Sequence, residues 1–414
     1  MASLAGGKAN CYNPPEPMVH VEHSHNAHVL ELRTLEEARA ALASLGLPAG
    51  QAETGAQDLQ FRTVSLQQVE PAALAAVQAQ AGRFAEALTL HERAGRVLLS
   101  GRLDALRLLA EKLSTQAPAA GLASELQACL REEGRLLRWG RRSLDFRKRI
   151  YVMGILNCTP DSFYPGSRLQ GTEAALEAAR EMIASGADIL DVGGESTRPG
   201  SDPVSIEEEL ARVIPVVAGI RRQSDLLLSI DTRKVEVARE ALQAGADMVN
   251  DVSALRGNRP LAELIARSGV PVVLMHMRGE PKTMQVHPRY ENTIAEIAAE
   301  LRTAVELALE AGIEAGKIIL DPGIGFGKRL KDNLLIVKHL SSLRSLGFPV
   351  LIGLSRKSFL GQVTGEPVEG RLAATVAVNA LAMMNGADIV RVHDVRQAVE
   401  TARVVEAVRE AESR

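Results

Sequence analysis

From residue 148 onward the chain repeats a single pattern. Short apolar runs lie at Tyr151–Leu156, Asp188–Val192, Leu226–Ile230, Asp247–Val249, Val270–Met275, Ile318–Leu320, Pro349–Leu354 and Asp388–Val392. Between them the apolar period lengthens to that of amphipathic helices, at Glu173–Ser185, Glu207–Gln223, Val235–Ala244, Asn292–Ala311, Asp332–Leu346, Arg371–Asn385 and Val395–Ala411. Continuous apolar strands alternating with helices predict a parallel sheet covered by helices. Three helices run into Ser-Gly-Ala-Asp (185–188), Ala-Gly-Ala-Asp (244–247) and Asn-Gly-Ala-Asp (385–388), where glycine supplies the left-handed residue that ends a helix.

Eight such units within residues 148–414 match a (β/α)8 TIM barrel, a fold of about 250 residues. An open doubly wound sheet is disfavoured because the first turn lacks a glycine-rich phosphate loop. The preceding segment has a different rhythm. Residues 1–25 read as a polar, disordered arm, and its His20, His23, His25 and His28 read as incidental to that arm rather than as a metal site. Residues 26–145 read as a smaller N-terminal α/β sandwich domain. Its expected strands lie near His28–Leu32, Leu59–Val64 and Arg96–Leu99, and its helices near Thr34–Leu45, Pro71–Leu90, Arg102–Lys112 and Ala123–Glu133, with a loop at 113–122. The basic stretch Arg138–Arg149 reads as the join.

Composition narrows the function. A formal net charge of −3 with no basic tract argues against nucleic acid or an anionic membrane as partner. Aromatic residues at 3% make a base-stacking platform improbable. Cys11, Cys129 and Cys158 lack metal-ligand spacing and read as free thiols in a reducing compartment. No secretory signal or bilayer-length apolar run is present, so the expected location is the cytoplasm.

The chemistry gathers at one end of the strands. Each apolar run turns polar as it ends, giving Asn157 to Phe163, Asp191 to Gly200, Ser229 to Thr232, Asn250-Asp251, Met275 to Met277, Asp321 to Lys328, Ser355 to Ser358, and Arg391 to Asp394. In a parallel barrel these all project from one rim, where such folds place their active sites. Asp231, Asn250, Asp321 and Lys357 combine acceptors and donors suited to the edge of a flat nitrogen heterocycle. Arg198, Arg391 and His393 suit a phosphorylated group. Asn157 suits a hydrated Mg²⁺ bound mainly by phosphate. Zinc-site spacing and a Ser-His-Asp order with an elbow are both missing.

These motifs, in this order, resemble the dihydropteroate synthase family. The runs that carry the resemblance are Gly154-Ile-Leu-Asn-Cys-Thr-Pro-Asp-Ser-Phe163 and Asp191-Val-Gly-Gly-Glu-Ser-Thr-Arg-Pro-Gly200, supported by Asp321 to Lys328, Ser355 to Ser358 and Arg391 to Asp394. The resemblance spans about residues 148–412. It implies condensation of 6-hydroxymethyl-7,8-dihydropterin diphosphate with 4-aminobenzoate, giving 7,8-dihydropteroate and diphosphate. It implies that Asp231, Asn250, Asp321 and Lys357 hold the pterin, that Arg391 stacks on its ring, and that Asn157 helps bind Mg²⁺. By the same likeness Arg198, Arg391 and His393 receive diphosphate. The loop with Asp161 and the loop with Thr197, Arg198 and Pro199 close over the site. Phe326 and Ser358 border the aminobenzoate pocket, where sulfonamides compete, and a homodimer through barrel helices is implied. The catalytic set is then Asp161, Arg198, Lys357, Arg391 and His393.

Other roles are set beside these. Asp251 reads as a helix N-cap, His276 as a buried hydrogen-bonded histidine, and Lys328 as either a solvated or a pocket-rim residue. A methyltransferase acting between a reduced folate and a corrinoid would share Asp231 and Asn250 but has no use for the Thr-Arg-Pro-Gly, Ser-Arg-Lys-Ser and Arg391-Val-His393 runs. A non-catalytic pterin-binding paralogue would be expected to have lost one of Asn157, Asp161, Arg198, Lys357 or His393, and all are present.

Overall fold

The computed structural model describes residues 48, 50–51, 61–66, 69–93, 95–130, 136–158, 168–196, 203–279, 284–285 and 287–411. The arm at 1–25, the strand near His28–Leu32 and the helix near Thr34–Leu45 lie outside the described residues.

Eight parallel strands form the barrel: β6 (Tyr151–Asn157), β7 (Ile189–Gly193), β8 (Leu227–Asp231), β9 (Met248–Asp251), β10 (Val272–Met275), β11 (Ile318–Asp321), β12 (Leu351–Ile352) and β13 (Ile389–Val392). They pair in the order β11-β10-β9-β8-β7-β6-β13-β12. A parallel bridge between Leu320 and Val350 closes the ring. The barrel is therefore the one expected from the alternating pattern, with helices around it.

The helix C-termini behave as their glycines require. Gly186, Gly245 and Gly386 have φ of 92°, 112° and 104°, conformations that glycine alone adopts without strain. The aspartate two residues later has a repeated task that the pattern did not disclose. The carboxylates of Asp188, Asp247 and Asp388 accept from the backbone N–H of Val152, Leu228 and Val350 at 2.8, 2.9 and 2.9 Å. Each one clamps the lower end of a neighbouring strand. Arg221 reaches Asp247 at 2.5 Å and Arg142 reaches it at 2.7 Å.

Two expectations need correction. The helix expected over Pro71–Leu90 ends at Ala81; a single 3-10 turn follows, and Leu88–Arg93 is strand β2. There Leu88 and Leu90 alternate with Thr89 and His91, a period of two that overrides the helical reading. β2 joins β1 (Phe61–Leu66) and β3 (Arg96–Arg102) in an antiparallel sheet ordered β1-β3-β2. Helices Pro71–Ala81, Leu103–Ser114 and Ala120–Leu130 share a core with it around Val77, Leu99, Leu106, Leu109 and Leu126. The stretch read as a join contains a hairpin, β4 (Leu136–Trp139) and β5 (Arg142–Asp145), turning at Gly140 with φ of 53°. Its arginines hid the alternation of Leu137, Trp139, Leu144 and Phe146. Those four side chains pack against Met153, Ile189, Met248, Val273, Ile319, Leu351 and Ile389. The hairpin thus plugs the floor of the barrel.

Smaller differences follow local chemistry. The helix expected over Asp332–Leu346 is broken at His339 into Leu330–Lys338 and Leu340–Arg344. An unforeseen helix, Arg259–Ser268, starts where Asn258 Oδ1 accepts from the Leu261 N–H at 3.2 Å.

Candidate active site

Alternation along a strand fixes what faces the barrel interior. Ile189, Met248, Ile319 and Ile389 touch the floor plug, so the residues two positions on, Asp191, Asn250, Asp321 and Arg391, face the same interior one layer higher. The barrel is apolar below and polar above for this reason.

Arg391 organises the upper layer. Its Nε donates to Asp191 Oδ2 at 2.6 Å and its Nη2 to Asp231 Oδ2 at 2.8 Å. Asn250 Nδ2 donates to the same Asp191 oxygen at 2.9 Å. Asp191 is fully buried, and among the described residues its Oδ1 has no hydrogen-bond partner. Asn250 and Arg391 therefore meet at Asp191, a residue that the motif contained but to which no role was given, and Arg391 extends the link to Asp231. Burial pushes the Asp231 carboxyl up against the pull of Arg391, with the charge of Asp191 adding to the rise. Arg391 is thus an ion-pair partner of two carboxylates at the mouth of the barrel.

Asp321 and Lys357 stand across from this cluster. Asp321 Oδ1 accepts from the Gly323 N–H at 2.7 Å, and burial raises its carboxyl above the ordinary range. Lys357 donates to the Ile324 carbonyl, and its ammonium lies 4.7 Å from the centre of the Phe326 ring. Burial pulls Lys357 down to about 8, while Asp321 opposes the shift. A Cβ added at Gly353 would stand 3.8 Å from Arg391 Cβ and 4.0 Å from Lys357 Nζ, so this glycine leaves room between the two cations.

His393, Ser358 and Asn157 occupy the same rim. His393 Nδ1 lies 3.0 Å from Ser355 Oγ, two residues beyond Arg391. Ser358 is exposed at the start of the helix Ser358–Thr364, and Asn157 is half-buried at the end of β6. Asp161, Thr197, Arg198 and Pro199 lie outside the described residues. The stem of their second loop is firmly held: Arg212 Nη1 donates to the Gly194 carbonyl at 2.7 Å, and Lys234 bridges Glu195 and the buried Glu209. Asp251 caps its own turn and not a helix, accepting from Ser253 N at 2.8 Å, Ser253 Oγ at 2.6 Å and Leu255 N at 2.7 Å, while Asn258 is the N-cap of the helix that follows.

Lys328 is neither solvated nor on the rim. It is 3% exposed, beneath the Phe326 loop, with its amine 2.8 Å from His276 Nδ1. His276 is buried as expected, and burial with the neighbouring Lys328 charge pulls it down to about 4.

This is a barrel whose open end gathers three carboxylates, an amide, an arginine and a lysine around one space, and the chain belongs to the pterin-binding enzyme family, whose model matches residues 153–393. Within that family it stands among the dihydropteroate synthases. It is 45% identical to the dihydropteroate synthase of Synechocystis over 270 residues, which are 65% of this chain and 93% of that one. The crystal structure of the Yersinia pestis dihydropteroate synthase with a sulfonamide drug complex superposes with a TM-score of 0.64 at 44% identity, covering 67% of this chain and all of that one. The Xanthomonas albilineans dihydropteroate synthase with 4-aminobenzoic acid gives 0.63 at 45% identity, covering 67% and 99%. The family match begins after the floor hairpin.

Proposed function

We propose that this chain condenses 6-hydroxymethyl-7,8-dihydropterin diphosphate with 4-aminobenzoate, releasing 7,8-dihydropteroate and diphosphate. The observation that carries the reading is the convergence of Asp231, Asn250, Asp321 and Lys357 on the mouth of a barrel of this family. A pterin edge presents N–H donors beside a ring carbonyl. Carboxylates at Asp231 and Asp321 accept from such donors, and the Lys357 ammonium donates to the carbonyl. Asn250 supplies both kinds of contact, and the planar Arg391 guanidinium, held by two carboxylates, suits the ring face.

The leaving group needs positive charge around it as the bond to the methylene breaks, because negative charge develops on its oxygens. Arg198 and His393 are assigned to it together with Arg391. The amine of 4-aminobenzoate then attacks the methylene carbon, whose positive charge the dihydropterin ring delocalises. Asp161 is assigned to positioning that amine, and closure of the loops with Asp161 and with Thr197, Arg198 and Pro199 keeps water out. Phe326 and Ser358 border the acceptor, in the place where a sulfonamide competes.

Mg²⁺ is part of the proposal. Among the described residues no group of three His, Cys, Asp or Glu side chains is arranged to hold a metal. A Mg²⁺ held mainly by substrate phosphates needs little more than one protein oxygen, and the Asn157 amide at the rim offers it. When bound, the ion would neutralise charge on the diphosphate. Among the described residues no helix is long and apolar enough to cross a membrane. A cytoplasmic homodimer is the proposed working form, supported by the free thiols Cys129 and Cys158 and by exposed Leu381, Met384, Val404 and Val408 on the outer helices.

The test is diphosphate release from the dihydropterin diphosphate with Mg²⁺, with and without 4-aminobenzoate. Release coupled to dihydropteroate formation, reduced about 100-fold or more in Lys357→Ala, is the expected result. Tight binding of the pterin without turnover would sink it.

A further inference from the structure

Beneath the loop that follows β11 lies a buried polar relay for which the reaction above has no use. Two glycines press that loop onto the chain beyond β10: a Cβ at Gly323 would fall 1.9 Å from the His276 carbonyl oxygen, and one at Gly327 would fall 2.1 Å from the Arg278 carbonyl oxygen. Both have positive φ, 65° and 63°, so other residues are excluded twice over. Lys328, the next residue, folds its side chain back under the loop. Its amine donates to the Phe326 carbonyl at 3.0 Å and to the His276 carbonyl at 3.3 Å, and it lies 2.8 Å from His276 Nδ1. The other ring nitrogen of His276 lies 3.0 Å from Glu300 Oε2 on the helix Thr293–Glu310.

The proton inventory follows from these contacts. A lysine ammonium has three N–H donors, and here three acceptors surround it. For His276 Nδ1 to accept, the ring proton must sit on Nε2, the nitrogen that faces the Glu300 carboxylate. Neutral lysine has two N–H donors, so one of the three donated contacts fails when the proton leaves, and His276 can donate back from Nδ1 only by turning an unprotonated Nε2 toward the Glu300 carboxylate.

We propose that Lys328 is a positioning residue for the acceptor half of the site: its ammonium ties the Phe326 peptide to the His276 peptide, and deprotonation loosens Phe326 and weakens 4-aminobenzoate binding. The inference rests on the reading that Phe326 borders the aminobenzoate pocket. Charged groups face Lys328 from every side. Asp321 of β11 and Glu300 favour the ammonium, whereas Arg278 beyond β10 and Lys357 after β12 oppose it. Arg256, which donates to the Met277 carbonyl at 2.5 Å, bears on His276. Burial dominates and pulls Lys328 down to about 7, within reach of ordinary assay conditions.

The test is the KM for 4-aminobenzoate from pH 6 to 9 on the full chain with saturating dihydropterin diphosphate and Mg²⁺. The carboxylate of 4-aminobenzoate stays ionised over that range, so a trend belongs to the protein. For the unaltered chain, KM should rise about three- to tenfold with pH, the effect of one lost hydrogen bond, while any change in kcat belongs to Lys357 and persists in Lys328→Met. Lys328→Met should show the raised KM at every pH with no inflection, its KM for the pterin unchanged. Lys357 titrates in the same window but remains in that variant, so disappearance of the inflection assigns it to Lys328. Glu300→Gln, which keeps Lys328 and removes a charge favouring its ammonium, should move the inflection to lower pH. A flat KM in the unaltered chain, or a wild-type inflection surviving in Lys328→Met, overturns the proposal. If Lys328→Met does not fold, the unaltered chain and Glu300→Gln decide it. Absence of dihydropteroate at every pH would count against the synthase reading instead, and calorimetric binding of 4-aminobenzoate over the same range would then decide the tether.

Discussion

Arg391 holds the upper layer of the barrel together because its fork reaches two carboxylates at once. Without it, Asp191 and Asp231 face each other in a buried space with no cation between them. Removing one partner of a buried charge cluster typically costs about 3–5 kcal/mol. Arg391→Met should therefore lower unfolding stability in urea by on the order of 3 kcal/mol and abolish pterin binding. Arg391→Lys, a point charge without a fork, should recover part of the stability but little of the binding. Equal stability for the Met variant and the unaltered chain would mean that the two carboxylates are neutralised in some other way. At this scale the sequence was largely legible: strand-end position and motif together brought out Asp231, Asn250, Asp321, Lys357 and Arg391. Asp191 was passed over although period two alone, counted from Ile189, turns it inward. Lys328, a lysine after Gly-Phe-Gly, reads as solvated or on a pocket rim, and only the back-folded loop buries it.

The elements repeat, and so does the way in which they are fastened. Each Gly-Ala-Asp turn combines a left-handed glycine with an aspartate that satisfies a backbone N–H on the adjacent strand. Two guanidinium groups, Arg221 and the hairpin residue Arg142, converge on Asp247, whereas Arg149 pairs with Asp188. Asp247→Ala leaves the Leu228 N–H without this acceptor and strands two guanidinium groups, so a loss of about 2–4 kcal/mol is expected. Denaturant midpoints should rank Asp247→Ala below Asp188→Ala, and the reverse order would show that Arg142 contributes nothing. The glycine in these turns was readable from chain chemistry alone. The aspartate was not, because its partner is distant in sequence and appears only when the ring closes. The same holds for the hairpin, whose apolar alternation was buried among arginines, and for β2, where a helix-compatible composition concealed a two-residue period.

Across the whole molecule, chemistry and mechanical closure lie at opposite ends of one barrel. The mouth carries the polar cluster, and the floor is sealed by Leu137, Trp139, Leu144 and Phe146, residues from before the first barrel strand. Trp139→Ala should cost about 3–5 kcal/mol through the lost contacts and the cavity left behind. It should lower Tm while leaving both substrate KM values unchanged at room temperature. A change in either KM would show that floor packing is transmitted to the rim. The strand and helix rhythm sufficed to find the barrel, since eight repeats leave few other architectures. It did not show that the segment before the barrel completes it, because a plug is a long-range contact with no local signature. The order of synthesis gives that plug a biological consequence. Its apolar side chains leave the ribosome first, and their last partner, Ile389, is made near the end of the chain. At roughly 5–20 residues per second, the hairpin waits for tens of seconds without its full cover. Until its final strand arrives, a nascent chain of this kind carries apolar plug side chains whose full set of partners has yet to be made.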